Sequence, residues 1–174
     1  MDITEIILFQ HHQQRRMFAL LDELDRSDAG SLAAVWGRLA VLLEVHAQAE
    51  ERYFYPRLLQ VGTGAGQDGA AGETKDAIKD HNDIRRAIAR AGQHPVGSQP
   101  WWQAVDAARK ANSDHMAEEE RDDLPDFRRH ADLQMRHDIA VQFVVFEAHH
   151  AEGVPITIKD PEHYVAASRP THPD

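Results

Sequence analysis

Apolar residues near the start of the chain recur at steps of three and four: Ile3, Ile7, Phe18 and Leu21, with His11 and Gln14 on the same line. Positions i, i+3 and i+4 stack on one face of a helix, so this stripe predicts a helix over residues 3 to 25 with His11 turned inward. His12 falls on a more polar line with Leu8, Arg15, Arg16 and Ala19. Past the turn residues Ser27 to Ser31, a second stripe runs through Leu32, Val35, Trp36, Leu39, Leu43, His46, Glu50 and Tyr53, and Pro56 marks its last turn or a kink. Residues 62 to 74 are rich in glycine and have no period, which predicts a flexible surface loop within one domain. A third helix is expected from about Lys75 to Arg90, aligned through Ile78, His81, Ile84 and Ile88, and residues 92 to 100 break it. A fourth opens at about Trp101, with at least one of Trp101 and Trp102 in the core, and lines up Val105, Ala108, Asn112, His115, Glu119 and Asp122 before Pro125. A fifth, through Leu133, His137, Ala140, Val141, Val144 and Ala148, is expected to pack on the outside, and the tail beyond Gly153 to be extended.

Short connections between long amphipathic helices predict an all-α chain built on an antiparallel four-helix bundle. We expect one domain over residues 1 to 174, with the bundle at about 3 to 126 and the accessory helix and tail at about 130 to 174. No strand pattern of useful length competes.

The two halves of the bundle repeat each other in their polar residues. His46-Ala-Gln-Ala-Glu50-Glu51-Arg52 ends at Pro56, and His115-Met-Ala-Glu-Glu119-Glu120-Arg121 ends at Pro125 at the same offset. His11 and His81 are each followed by two arginines, at i+4 and i+5. One His-x-x-x-Glu is usually an exposed pair on a helix surface. Two copies with matching flanks, and a further histidine on each of the other helices, aim His11, His46, Glu50, His81, His115 and Glu119 at the bundle axis. Burying them without a shared partner would cost about 1–3 kcal/mol for each unsatisfied group. A pair of metal ions removes that cost, and a nitrogen and oxygen donor set suits iron better than zinc or manganese.

Composition narrows the rest. The chain has twelve histidines and no cysteine, so disulfides, iron–sulfur clusters and thiolate chemistry are excluded. A formal charge of −10 disfavours nucleic acid and anionic membranes as partners. The acidic N-terminus does not read as a signal peptide, and no stretch is long and apolar enough to span a membrane, so a soluble, cytoplasmic protein is expected.

The four histidine segments, with Asp80-His81-Asn82-Asp83-Ile84-Arg85 among them, resemble the hemerythrin-like proteins with an HHE cation-binding domain, of the bacterial stand-alone type. The resemblance covers about residues 5 to 126. It implies a four-helix bundle holding two iron ions joined by an oxo or hydroxo bridge. His11 and His46 would serve one iron, His81 and His115 the other, and Glu50 and Glu119 would bridge them. Two features depart from the family. Oxygen-carrying hemerythrins have His-x-x-x-His on the third helix, whereas this chain has Arg85 four after His81, and Tyr53 stands where an aliphatic residue is usual. A phenol at Tyr53 is a candidate catalytic group, able to ligate iron, contact a bound oxidant or donate an electron; the other reading is a core tyrosine bonded to a backbone carbonyl.

Glu51 and Glu120 are candidate acceptors for the outer imidazole N–H groups, or exposed partners of arginine. His12, His94, His130, His163 and His172 read as solvated, and His149 and His150 as a packing or surface pair. The expected function is an oxidoreductase that decomposes or reduces hydrogen peroxide or a related small oxidant such as nitric oxide. The alternative is a protein that binds O2, NO or iron reversibly, for sensing or storage. The oligomeric state stays open.

Overall fold

The computed structural model describes residues 1–64 and 69–169. Four rods form the bundle. The first is α1 (Ile3–Glu23), and the second is α2 (Ala29–Ala49), continued through a π-helical turn (Glu50–Phe54) into α3 (Tyr55–Val61). The third is α4 (Gly69–Ala91), and the fourth is α5 (Gln99–Glu118), continued through a second π-helical turn (Glu119–Asp123) into α6 (Leu124–His130). Helix α7 (Leu133–His149) lies against α1 and α2, and α8 (Pro161–Ser168) against α4.

The rods start where their sequences provide caps. Asp2 accepts from the Thr4 N–H, Asp28 from Ser31, Ser98 from Trp101 and Asp132 from Met135, each satisfying a donor that the first helical turn leaves free. Between α4 and α5 the chain turns at Gly97, whose φ of 81° suits glycine, and an added Cβ there would sit 3.3 Å from the Arg26 carbonyl.

Two apolar cores share the bundle, with a polar layer between them. At one end Phe18, Leu21, Leu32, Trp36, Leu39, Ile84, Ile88, Trp101, Trp102 and Val105 pack together. At the other, Ile3, Ile7, Phe54, Tyr55, Leu58, Leu124 and Phe127 meet Ile139, Phe143 and Phe146 of α7. Between them lie His11, Gln14, Glu44, His46, Glu50, His81, Arg85, Asn112, His115 and Glu119, all buried. The fold places its apolar mass so that water is excluded from this layer on two sides.

Three boundaries differ from the sequence reading. Helix α4 begins at Gly69 and not at Lys75, because Ala70, Thr74 and Ala77 are small enough to bury against the neighbouring helices. Of the glycine-rich segment, residues 65–68 lie outside the described residues. The second and fourth rods run past Pro56 and Pro125, since each proline falls in the first turn of a new α-helical segment, where its missing N–H costs nothing. The tail beyond Gly153 is extended only to Asp160, whose side chain caps α8 at His163 N–H; Pro161 opens the helix and Val165 buries against the bundle. His172 also lies outside the described residues.

Candidate metal centre

Each His-x-x-x-Glu segment ends in a π-helical turn, and this sets which side chains face inward. Tyr55 N–H bonds to the Glu50 carbonyl and Leu124 N–H to the Glu119 carbonyl, five residues back in place of four. Pro56 and Pro125 follow directly. A proline ring clashes with the carbonyl four residues before it, and a widened turn relieves the clash. The extra residue rotates the side chains downstream of it. Tyr53, which α-helical spacing places above Glu50, is turned outward, half-buried, with its ring 5.9 Å from Phe146 and the Arg52 guanidinium over it. Tyr55 is turned inward instead, and its hydroxyl donates to Glu119 Oε1 at 3.1 Å in full burial. The structure therefore brings a phenol to the site, contributed by Tyr55 and not by Tyr53.

The six remaining residues named from sequence converge. His11, His46 and Glu50 form one buried group and Glu50, His81 and His115 a second, with ligand atoms in each within 4.8 Å of one another. Glu50 is common to both. Its Oε1 is 2.8 Å from His46 Nε2, and its Oε2 is 3.2 Å from His81 Nε2 and 3.8 Å from His115 Nε2. Glu119 spans the two groups from the opposite side, with Oε2 3.2 Å from His11 Nε2 and 3.9 Å from His115 Nε2. His12 is exposed and takes no part.

These atoms approach each other without satisfying each other. His11 Nε2, His46 Nε2, both Glu50 oxygens and Glu119 Oε2 are buried and lack hydrogen-bond geometry to any partner. Lone pairs and carboxylate charge directed at common points in a dry interior fit a bound cation, which supplies the missing partner to all of them. The donor set is nitrogen and oxygen only, as iron accepts.

The outward Nδ1 atoms have their own partners. His11 Nδ1 lies 2.8 Å from Glu120 Oε1, His46 Nδ1 2.6 Å from Gln10 Oε1 and His81 Nδ1 2.8 Å from Glu51 Oε1. Such contacts hold the ring and direct Nε2 inward. They also cross the bundle: Glu51 of the first π-turn serves His81 of α4, and Glu120 of the second serves His11 of α1. Glu51 is the more heavily engaged acceptor, since Arg85 donates to it from Nη1 at 2.9 Å and Nη2 at 3.2 Å, and Lys159 bonds to it from the tail. Arg85 Nε reaches Glu44 at 2.9 Å, Asn82 binds the Lys159 backbone in both directions, and the Tyr164 hydroxyl donates to the Glu51 carbonyl.

Electrostatics follow from these contacts. Burial works to keep His11 neutral, but the close approach of Glu119, the hydrogen bond to Glu120 and the charges of Glu119 and Glu50 prevail and raise its pKa to about 9. His81 is likewise raised to about 9, against burial, by Glu50 and Glu51. Glu51 is held at about 2 against burial by His81 and Arg85, and Glu120 at about 2 chiefly by its hydrogen bond to His11. Burial, helped by Glu119 and Glu50, pushes the Tyr55 phenol well above its ordinary value, so it donates as a neutral hydroxyl.

A model of the hemerythrin HHE cation-binding domain matches residues 2–127. The chain belongs to the hemerythrin family. No curated protein and no solved structure gave a match. The hemerythrin family binds non-heme iron, and the two histidine and glutamate groups of this hemerythrin domain are able to hold a metal. Among the described residues no helix is long and apolar enough to cross a membrane.

Sequence reasoning did not find Gln10, Glu44, Tyr55 or Lys159. The matched prolines at 56 and 125 were the available signal for Tyr55, because they mark where the helical phase changes. His149 is exposed, and His150 stacks on Phe146 with ring centroids 4.1 Å apart, outside the centre.

A pH dependence is expected with opposite sign for the two forms of the protein. In the metal-free form, His11 and His81 have folded pKa values of about 9 against 6.5 unfolded, so they stabilise the fold fully below pH 6.5 and lose that contribution as pH rises through 9. Metal requires neutral imidazole, so its affinity climbs over the same window and binding releases protons. Thermal melts between pH 6 and 10 should show the metal-free midpoint falling while the stabilisation gained on adding Fe(II) grows. Parallel curves would contradict the assignment of these two histidines as ligands.

Proposed function

We propose that this hemerythrin domain holds two iron ions and works as an oxidoreductase that decomposes or reduces hydrogen peroxide or a related small oxidant such as nitric oxide. The observation that carries this reading is the Tyr55 hydroxyl on Glu119 Oε1, a phenol inside a centre that has two imidazoles in each half. A bound iron pair would supply two-electron redox chemistry, which balances the reduction of one peroxide and two protons to two waters against the oxidation of a second peroxide to O2 and two protons.

The protein's own groups provide the rest. His11, His46, His81 and His115 would hold the two ions, and Glu50 and Glu119, which approach imidazoles of both halves, would offset their charge. With two imidazoles and shared carboxylates, each ion would have fewer protein donors than a filled coordination shell and could take a small oxidant. Arg85, four after His81, is tied to Glu44 and Glu51 and adds no third imidazole to that half, which supports turnover over the oxygen-carrying arrangement. Tyr55 keeps a proton beside Glu119 and offers an oxidisable ring at the centre.

Iron-loaded protein mixed with peroxide should evolve O2, or consume a supplied reductant, faster than the same iron free in buffer. Tyr55→Phe should lower that rate by roughly tenfold or more while leaving iron content unchanged. Tyr53→Phe should leave both unchanged. Absence of turnover above free iron, with a reversible oxygen- or NO-dependent change in the visible spectrum, would favour the binding function instead.

A further inference from the structure

Of the four ligand imidazoles, three are closed off on their outer side. His46 is covered by Gln10 and the Phe143 ring, His11 by Glu120 with Arg15, and His81 by Glu51 with Arg85 and Lys159. His115 is different: together with Glu119 it forms the inner wall of a cleft of about 410 Å³ between α4, α5 and the second π-turn. Glu119 is 1% exposed, and its Oε2 has no hydrogen-bond partner. The cleft's flanks are acidic, with Asp76 and Asp80 on α4, Glu118 at the end of α5 and Asp122 on the π-turn; Asp123 also lines it, but burial, with Glu119 and Glu73 beside it, pushes its carboxyl well up toward the neutral form. The cation in its lining, Arg121, is already paired with Asp122 at 2.7 Å.

We propose that this cleft is the route by which divalent metal reaches the centre: a transient carboxylate site that gathers a hydrated ferrous ion and passes it to Glu119 and His115. The inference rests on the metal-binding reading of the centre. Carboxylates of one sign around a cleft with low-dielectric walls concentrate counter-ions and raise their on-rate. Oxygen donors with exchangeable water suit a hard divalent ion in transit, whereas imidazole and shared carboxylate suit its final seat. Glu119 and His115 belong to both environments, since they line the cleft and their Oε2 and Nε2 atoms lie 3.9 Å apart in the centre. The same field repels anions, so the oxidants that use this path are the neutral ones, hydrogen peroxide and nitric oxide among them.

The test is the rate of metal loading. Metal-free protein is mixed anaerobically with Fe(II) at low ionic strength, and bound iron is followed by quenching aliquots with a chromogenic chelator. Asp76→Asn with Glu118→Gln removes two exposed charges from the cleft, and Asp106→Asn with Asp114→Asn removes two exposed charges of α5 elsewhere. The cleft pair should slow loading roughly three- to tenfold and flatten its salt dependence, while final iron content stays that of the unmodified protein. The control pair should change the rate by less than about twofold. Equal rates in both pairs, with full final loading, would overturn the proposed route and leave the metal centre standing. Wild-type protein that takes up no Fe(II) at equilibrium would overturn the centre and the route together. Loading of wild-type protein that is insensitive to added salt would also count against the cleft, without any variant.

Discussion

Glu50→Ala is expected to abolish iron loading, whereas His46→Ala should keep roughly half, because Glu50 belongs to both ligand groups and His46 to one. The carboxylate is fully buried, with its two oxygens on different imidazoles, 2.8 Å from His46 and 3.2 Å from His81. It stays ionised there: burial favours the neutral acid, but the charge of His46 foremost, then the close approach of the His115, His46 and His81 imidazoles, hold it well below the usual carboxylate range. Its loss would remove the shared anion and leave two pairs of imidazoles with only Glu119 between them. Glu50→Gln keeps the shape and deletes the charge, so it separates ligation from cavity formation. Metal analysis after incubation with Fe(II), alongside circular dichroism, reads both effects. Iron content in Glu50→Ala equal to that of wild type would remove Glu50 from the centre and the two-group assignment with it.

The buried histidine and glutamate cluster was legible in the sequence because its members obey the rule that makes helices legible at all. His46 with Glu50 and His115 with Glu119 stand four apart on α-helical backbone, so spacing alone sets them on one face. His11 was separable from His12 because it shares its stripe with Ile3, Ile7, Phe18 and Leu21, and it is fully buried while His12 is exposed. Spacing misleads at the next residue along. From Glu50 onward the backbone is π-helical, the phase slips by one residue, and the inward tyrosine is Tyr55, which α-helical counting turns away from the site. Helix α8 was hidden for another reason. A helix of eight residues is too short to show a period, and it forms on its Asp160 cap and its contacts with α4.

Arg85 shows what spacing leaves out. Its position is readable as lacking a histidine, but not as holding a buried ion-pair network, because Glu44 and Glu51 lie on the second rod, around the helix from the ligand stripe. Arg85→Ala should destabilise the metal-free protein by about 3–5 kcal/mol, since it leaves the buried Glu44 carboxylate without its guanidinium and Glu51 with only His81 and Lys159. The loss should depend on pH in a defined direction. Wild-type Glu51, held at about 2 against an ordinary 4.5, stabilises the fold above pH 4.5 and loses that contribution as pH falls through 2. The variant lacks the part that Arg85 supplies and keeps the larger part from His81, so its deficit should be greatest near neutrality and narrow as pH falls from 4.5 toward 2. Urea unfolding at pH 7 and pH 3.5 measures both values, and a deficit below about 1 kcal/mol, or one independent of pH, would show that Arg85 is not the counter-charge of this network. Arg85→His should fail in a related way. Because Arg85 neutralises the carboxylate that holds His81 Nδ1, an imidazole in its place would leave Glu44 and Glu51 underpaired. The expected product is a less stable protein with looser His81, and not an oxygen carrier with one more ligand.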